Sequence, residues 1–168
     1  MTTLNRETRN VQNAALGSLL LWRFASAYEQ QHVAKEHVPI PLLYVVLPIF
    51  FEESLCSLID GTLAATGLRG FVDKFSTSRT AKNDLLLAIH DRTLHMRKLT
   101  TTSLQLSIAR HLLAIDIQNG RAIPLSKTEP KGSVPAGVRK MIRRAEKFAS
   151  WCSQLTLFEI SAILRVGF

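Results

Sequence analysis

Leu113-Ala-Ile-Asp-Ile-Gln-Asn-Gly-Arg-Ala-Ile-Pro-Leu125 carries the clearest strand signal in the chain. Two apolar runs, 113–117 and 121–125, flank the pair Asn119-Gly120. Asn-Gly supplies the left-handed backbone of a tight hairpin turn, and the alternation on either side gives each strand one apolar face. Pro124 has no N–H to give to a ladder, so the second strand is expected at a sheet edge.

Upstream of the hairpin the period changes from two to about 3.6. Thr77-Ser-Arg-Thr80 offers capping side chains to a helix over 81–98, with Leu85, Leu86, Ile89, Thr93, Leu94 and Met96 inward. Asp91, Arg92, Arg97 and Lys98 fall outward. Thr100-Thr-Thr-Ser103 reads as a second cap, opening a helix over 104–113. Helix, helix, hairpin is the order of a winged helix-turn-helix, and residues 79–125 fit it. The fold class expected is mainly α (α+β): a helical domain with a winged-helix-like module and one β-hairpin.

Downstream, 126–135 is a loop rich in Lys, Pro, Gly and Ser, and 138–154 is a basic amphipathic helix. Met141, Ile142, Ala145, Phe148, Ala149 and Cys152 line one face; Arg139, Lys140, Arg143, Arg144 and Lys147 line the other. Thr156 caps a last short helix ending at Leu164.

Toward the N-terminus, 14–31 reads as a helix with Leu19-Leu-Leu-Trp22 unbroken by polar residues. A helix this apolar is buried on more than one side, either at the centre of the fold or with one side against a partner. Leu19, Leu20, Trp22 and Phe24 are therefore candidate interface residues, as are Tyr44, Phe50 and Phe51 in the next apolar run. That run, 38–51, is 14 residues long with three prolines. It falls short of the roughly 20 apolar residues of a bilayer span. Pro39 and Pro41 suit a helix start, and Pro48 should end or kink the helix. A helical pattern resumes over 52–63, Gly67 to Gly70 is a break, and 71–75 forms a short turn of helix. The organisation expected is an apolar part, 1–76, and a basic winged-helix-like part, 77–168, within one compact unit.

The net charge of +8 is uneven. Residues 1–60 hold 4 Lys+Arg against 6 Asp+Glu; the remainder holds 17 against 7. Such asymmetry suits an acidic partner, nucleic acid or protein, or simply a solvated basic face. A hydrophobic content of 46% argues for a packed core rather than disorder. Cys56 and Cys152 stand far apart, outside any CxxC or Cys/His pattern. They read as small apolar side chains, though spacing alone leaves a disulfide between them open. The polar N-terminus and sparse cysteine give an expectation of the cytoplasm.

No arrangement of residues makes a persuasive catalytic centre. Asp116 with Glu129-Pro-Lys131 has the outline of a metal nuclease, but Pro130 disrupts the strand that would present the last two. His90 and His95 are five residues apart, diverging by about 140° on a helix. Asp91 and His95 can form an i, i+4 ion pair. Glu52 and Glu53 read as first-turn residues rather than an acid/base pair. No Walker A loop, GxGxxG, GxSxG or kinase signature occurs. The expectation is a non-enzyme without cofactor or metal.

The chain resembles the middle components of three-component ABC-ATPase systems. The resemblance is carried by the run from Arg9 through Ala14-Ala-Leu-Gly-Ser-Leu-Leu-Leu-Trp-Arg-Phe24, by Pro41-Leu-Leu-Tyr-Val-Val-Leu-Pro48 and by Leu112-Leu-Ala-Ile-Asp116. The closing Arg144-Ala-Glu-Lys-Phe-Ala-Ser-Trp151, followed by the tail from Ile160 to Phe168, completes it. The resemblance implies an adaptor in a bacterial anti-phage or anti-plasmid defence complex of the Lamassu kind. It would join an SMC/Rad50-like ABC ATPase to an effector, often a nuclease, with no membrane contact.

Candidate contacts to double-stranded DNA or an acidic partner are Arg92, Arg97, Lys98, Arg121, Arg139, Lys140, Arg143, Arg144 and Lys147. The alternative is a stand-alone DNA-binding regulator. It would use 104–113 as recognition helix, with Gln105, Ser107, Arg110 and His111 as readers and Arg121 on the wing.

Overall fold

A computed structural model describes residues 13–76, 79–126 and 134–168. Its first helix, α1 (Ala14–Gln31), starts where the Asn13 side chain accepts from the backbone N–H of Ala15 and Leu16, at 3.0 and 3.1 Å. The apolar run that follows is buried nearly all round. Leu20, Leu21, Trp22 and Phe24 are buried and Leu19 half-buried. α1 is thus the central helix: of its interface candidates Leu20, Trp22 and Phe24 lie in the core, and Leu19 keeps part of its surface exposed.

After β1 (Val38–Pro39), α2 (Ile40–Phe50) begins behind Pro39 with Pro41 in its first turn. Pro48 is carried inside α2, which ends two residues later. The chain then bends by 99° into α3 (Glu53–Asp60). Leu42, Leu43, Val45, Val46, Leu47, Ile49 and Phe50 are all buried, and Tyr44 and Phe51 are half-buried. No single helix among the described residues is long and apolar enough to cross a membrane.

A 3₁₀ turn (Ala64–Thr66) leads into α4 (Gly67–Asp73), so the expected break at Gly67 to Gly70 is itself helical. Gly70 is there for space: a Cβ would lie 2.0 Å from Thr66 Cγ2. Next come α5 (Arg79–His95) and α6 (Arg97–Ala109), separated only by Met96. Of the expected cap at Thr77 to Thr80, Thr77 and Ser78 lie outside the described residues, and Arg79 and Thr80 already belong to α5.

The expected cap at Thr100 to Ser103 is instead mid-helix. Thr100, Ser103 and Ser107, spaced by three and four, are buried against α1. Gly17 faces Ser103, and a Cβ at Gly17 would lie 2.3 Å from its Oγ. Ser18 Oγ lies 2.9 Å from Ser107 Oγ. Small residues on both helices allow this close approach. The pairings 17 with 103 and 18 with 107 run α1 and α6 in parallel.

The hairpin forms as the sequence implies, with β2 (Leu113–Asp116) and β3 (Arg121–Pro124). Gly120 takes φ 62°, and Asp116 accepts from Asn119 N and Nδ2 at 3.2 and 2.7 Å. The register pairs Leu113 with Pro124 and Asp116 with Arg121. Pro124 does not place β3 at an edge. The sheet order is β1-β3-β2, and β1 pairs only with Ala122 and Arg121. Pro124 thus lies beyond the end of β1, where no N–H is asked of it.

α7 (Ala136–Cys152) packs parallel to α1, with Arg23 against Glu146 and Phe24 against Phe148. Phe148 also meets Phe50, Phe71 and Trp151 at ring-centroid distances of 5.9, 6.0 and 6.3 Å. Each such pair contributes about 1 kcal/mol beyond its area. The core joins residues from both sides of position 76. α8 (Leu157–Leu164) starts in a capping box, with Thr156 and Glu159 exchanging bonds to each other's backbone N–H.

Candidate functional site

Helix α7 presents fewer free cations than its sequence suggests. Arg144 follows Met141 by three residues and precedes Phe148 by four, which places it on the apolar stripe. Its side chain is 4% exposed. Nε and Nη2 grip both oxygens of Asp60 at 3.0 and 2.7 Å. Nη2 also reaches Glu53 at 3.4 Å, and Nη1 donates to Cys56 Sγ at 3.0 Å.

The Arg144 bond, helped by Lys140 at 3.3 Å, holds the Asp60 carboxyl down at about 2. Asp60 in turn raises the Arg144 pKa further. Burial pushes the Cys56 thiol up to about 11, against the pull of Arg144. Cys152, buried without such a partner, is also raised. Both cysteines are free thiols. Arg144 is therefore a clamp between α7 and α3, which corrects its assignment to an outward face. Lys147 likewise turns in, donating to the Ile59 carbonyl at 2.9 Å.

Two more expected contact residues are engaged within the fold. Arg92 donates to the carbonyls of Pro48 and Phe51 at 3.2 and 3.3 Å and pairs with Glu52 at 3.0 Å. It closes the C-terminal end of α2, whose last carbonyls lack helical donors. Arg121 donates to the His37 carbonyl at 2.6 Å and pairs with Glu36 at 2.8 Å, holding the approach to β1.

What remains exposed is a set at one end of the bundle: Arg97 and Lys98 on α6, and Arg139, Lys140 and Arg143 on α7. Met96 and Met141 line one shared groove, so the N-terminal parts of α6 and α7 face each other across it. Parallel packing brings the start of α1 to the same end. Three helix N-termini add their positive dipole ends to these side chains. Arg97, Lys98 and Arg143 have no carboxylate partner among the described residues.

Of the nuclease-like outline, only Asp116 lies among the described residues. Asn119 takes up the Asp116 carboxylate and lowers its pKa. Glu129 and Lys131 lie outside the described residues. His95 Nδ1 meets the Asp91 backbone carbonyl at 2.7 Å, so the expected Asp91–His95 ion pair is not made. Among the described residues no three metal-binding side chains converge. Of the supposed base readers, Gln105, Arg110 and His111 are exposed, but Ser107 is buried against Ser18.

One feature had no sequence signal. Phe51, Glu52 and Glu53 at the α2–α3 corner, Ala88, Asp91 and His95 on α5, and Met96 and Met141 enclose an open groove of about 910 Å³. Its walls come from three distant stretches of chain, which no local pattern links.

A family model described as "ABC-three component (ABC-3C) system Middle Component 3" matches residues 1–168. No curated protein and no solved structure matches the chain significantly. The resemblance read from the apolar helices and the hairpin step is thus met by a match along the whole sequence, and the chain belongs to the Middle Component 3 family of ABC-three component systems.

Proposed function

We propose that this middle component is a non-catalytic, cytoplasmic adaptor of a Lamassu-type anti-phage or anti-plasmid complex. It links an SMC/Rad50-like ABC ATPase to an effector, a nuclease by this reading, and touches double-stranded DNA through its basic end. The observation that carries the reading is the family match over the full chain. Arg97, Lys98, Arg139 and Arg143 support the DNA contact, since exposed cations near helix N-termini suit phosphate oxygens without reading sequence.

Charge reversal at Arg97, Lys98, Arg139 and Arg143 tests it in the assembled complex. Arg144 is left alone because it holds the fold. The expected result is lost defence and weaker DNA binding, with the salt dependence reduced by about 0.9 log units per lost phosphate contact. Unchanged defence and unchanged DNA affinity, with an unchanged melting temperature, would overturn the DNA contact.

A second reading, the stand-alone winged-helix regulator, is favoured by one observation: α6 leads into the hairpin, and β1 completes a three-stranded sheet. A gel shift with the isolated chain separates the two. Sequence-specific binding favours the regulator, and salt-sensitive binding without sequence preference favours the adaptor.

A further inference from the structure

The loop between α1 and β1 is organised around a single ring nitrogen. His32 Nδ1 accepts from two backbone amides, the Ala34 N–H at 3.2 Å and the Glu36 N–H at 3.3 Å. The His32 carbonyl accepts from the Lys35 N–H at 3.0 Å, and Lys35 takes the left-handed φ of 54°. The half-buried imidazole stacks on Tyr28, one turn back on α1, with ring centroids 5.5 Å apart. Val33 to Glu36 are all exposed, Val33 by 94%. Hydrogen bonds and surface ion pairs, rather than apolar packing, therefore set the path of these residues.

A ring nitrogen that accepts hydrogen bonds carries a lone pair, so the proton of the neutral His32 sits on Nε2. In a charged imidazole both nitrogens are donors. Protonation thus turns Nδ1 from a double acceptor into a donor that faces two N–H groups. Asparagine would accept backbone N–H groups from the same place without titrating. Histidine adds a proton dependence that the turn itself does not need.

The surrounding groups leave this response intact. A charged imidazole gains attraction to the Tyr28 face, so the ring stays on α1 while the loop lets go. Tyr28 also faces Cys152 on α7, whose thiol burial keeps neutral. The Glu36 carboxylate is engaged by Arg121 on β3 at 2.8 Å, and Lys35 Nζ by the Gln30 carbonyl. His37 Nδ1 lies 3.2 Å from Glu29 on α1, a contact that protonation strengthens. The two histidines therefore respond in opposite senses: His32 releases the loop, and His37 pins its end beside β1.

We propose that residues 33–36 form a proton-sensitive latch, closed while His32 Nδ1 is bare and open once it takes up a proton, with β1 still paired to β3. The latch goes beyond the adaptor reading and does not depend on it.

Solution NMR of the full chain between pH 8 and pH 5 tests it, a range that brackets the titration of an ordinary imidazole at about 6.5. At pH 8 the ring nitrogens of His32 should report the Nε2–H tautomer. As the ring becomes charged, the amide order parameters of Ala34 and Glu36 should fall from about 0.85, a rigid backbone, to below about 0.6. His32→Asn should keep the loop ordered across the range. His37→Gln should leave the loss at 33–36 in place.

A wild-type loop that stays ordered once His32 is charged would overturn the latch, as would an Nδ1–H tautomer at pH 8. The same acid loosening in His32→Asn would overturn it too. Loosening that disappears in His37→Gln would overturn it in favour of the His37–Glu29 pair.

Discussion

Helix α1 meets α6 through Gly17, Ser18, Thr100, Ser103 and Ser107, whereas α7 meets α3 through Arg144, Asp60, Glu53 and Cys56. Both seams bury residue types that sequence reading assigns to the surface. They do so for opposite reasons. In the first, side chains are small enough for two backbones to approach; the Ser107 hydroxyl bonds to nearby helix carbonyls, while those of Thr100 and Ser103 are buried with no partner among the described residues. In the second, a long side chain spans a wider gap and satisfies its charge at the far end. Size closes one seam and charge closes the other.

The largest effect is expected from breaking the size rule. Gly17→Leu places a Cβ 2.3 Å from Ser103 Oγ and 3.0 Å from Leu47 Cδ1, before the rest of the side chain is counted. Two central helices must separate, at a cost of about 3 kcal/mol. Chemical denaturation should show that loss. If Gly17→Leu matches wild type, the close approach of α1 and α6 is not needed for folding.

Breaking the charge rule costs less, because its acidic partners reach water. Asp60 is 42% exposed and Glu53 78%, so neither is stranded when the guanidinium goes. Arg144→Met should lower stability by about 2 kcal/mol through lost charge-assisted bonds. Arg144→Lys should recover little, since an ammonium cannot grip both oxygens of Asp60.

The same seam has a pH signature. The folded pKa of Asp60 is about 2, below its ordinary 3.8. A depressed carboxylate contributes stability that is fully present above the ordinary value and is lost as pH falls through the folded one. Stability should therefore decline between about pH 4 and pH 2, and this part of the decline should shrink in Arg144→Met to the share that Lys140 alone supports. An identical acid limb in both proteins would detach Asp60 from the clamp.

These seams also mark where the sequence was legible. The Asn119-Gly120 turn and the Thr156 cap are local chemistry, complete within a few residues, and both formed; the Glu159 half of the capping box came only with the structure. The long helices followed from periodicity, though their ends shifted. β1 was invisible because two residues become a strand only by pairing with β3. Thr100 to Ser103 carries a strong capping composition, and only the opposing Gly17 reveals that it packs mid-helix instead. Arg144 was misplaced for a related reason: its neighbours Arg143 and Lys147 drew it into a charge run, while its spacing from Met141 and Phe148 pointed inward. The groove walls share no stretch of sequence, so nothing local announces them.

The smallest expected effect gives the sharpest test of the size argument. Thr100 Oγ1 is buried and has no hydrogen-bond partner among the described residues. Thr100→Val keeps the shape and removes the unpaired hydroxyl. Stability should hold or rise by up to about 1 kcal/mol. Ser107→Ala should move the other way by about 1 kcal/mol, since its Oγ bridges Ser18 Oγ and the Ser103 carbonyl at 2.9 Å each. Opposite signs from two hydroxyls on one helix face would mean that volume sets the seam and hydrogen bonds only fill it. Equal losses from both would mean that the hydroxyls themselves hold α6 to α1. The contrast with the Arg144 seam would then be one of charge alone.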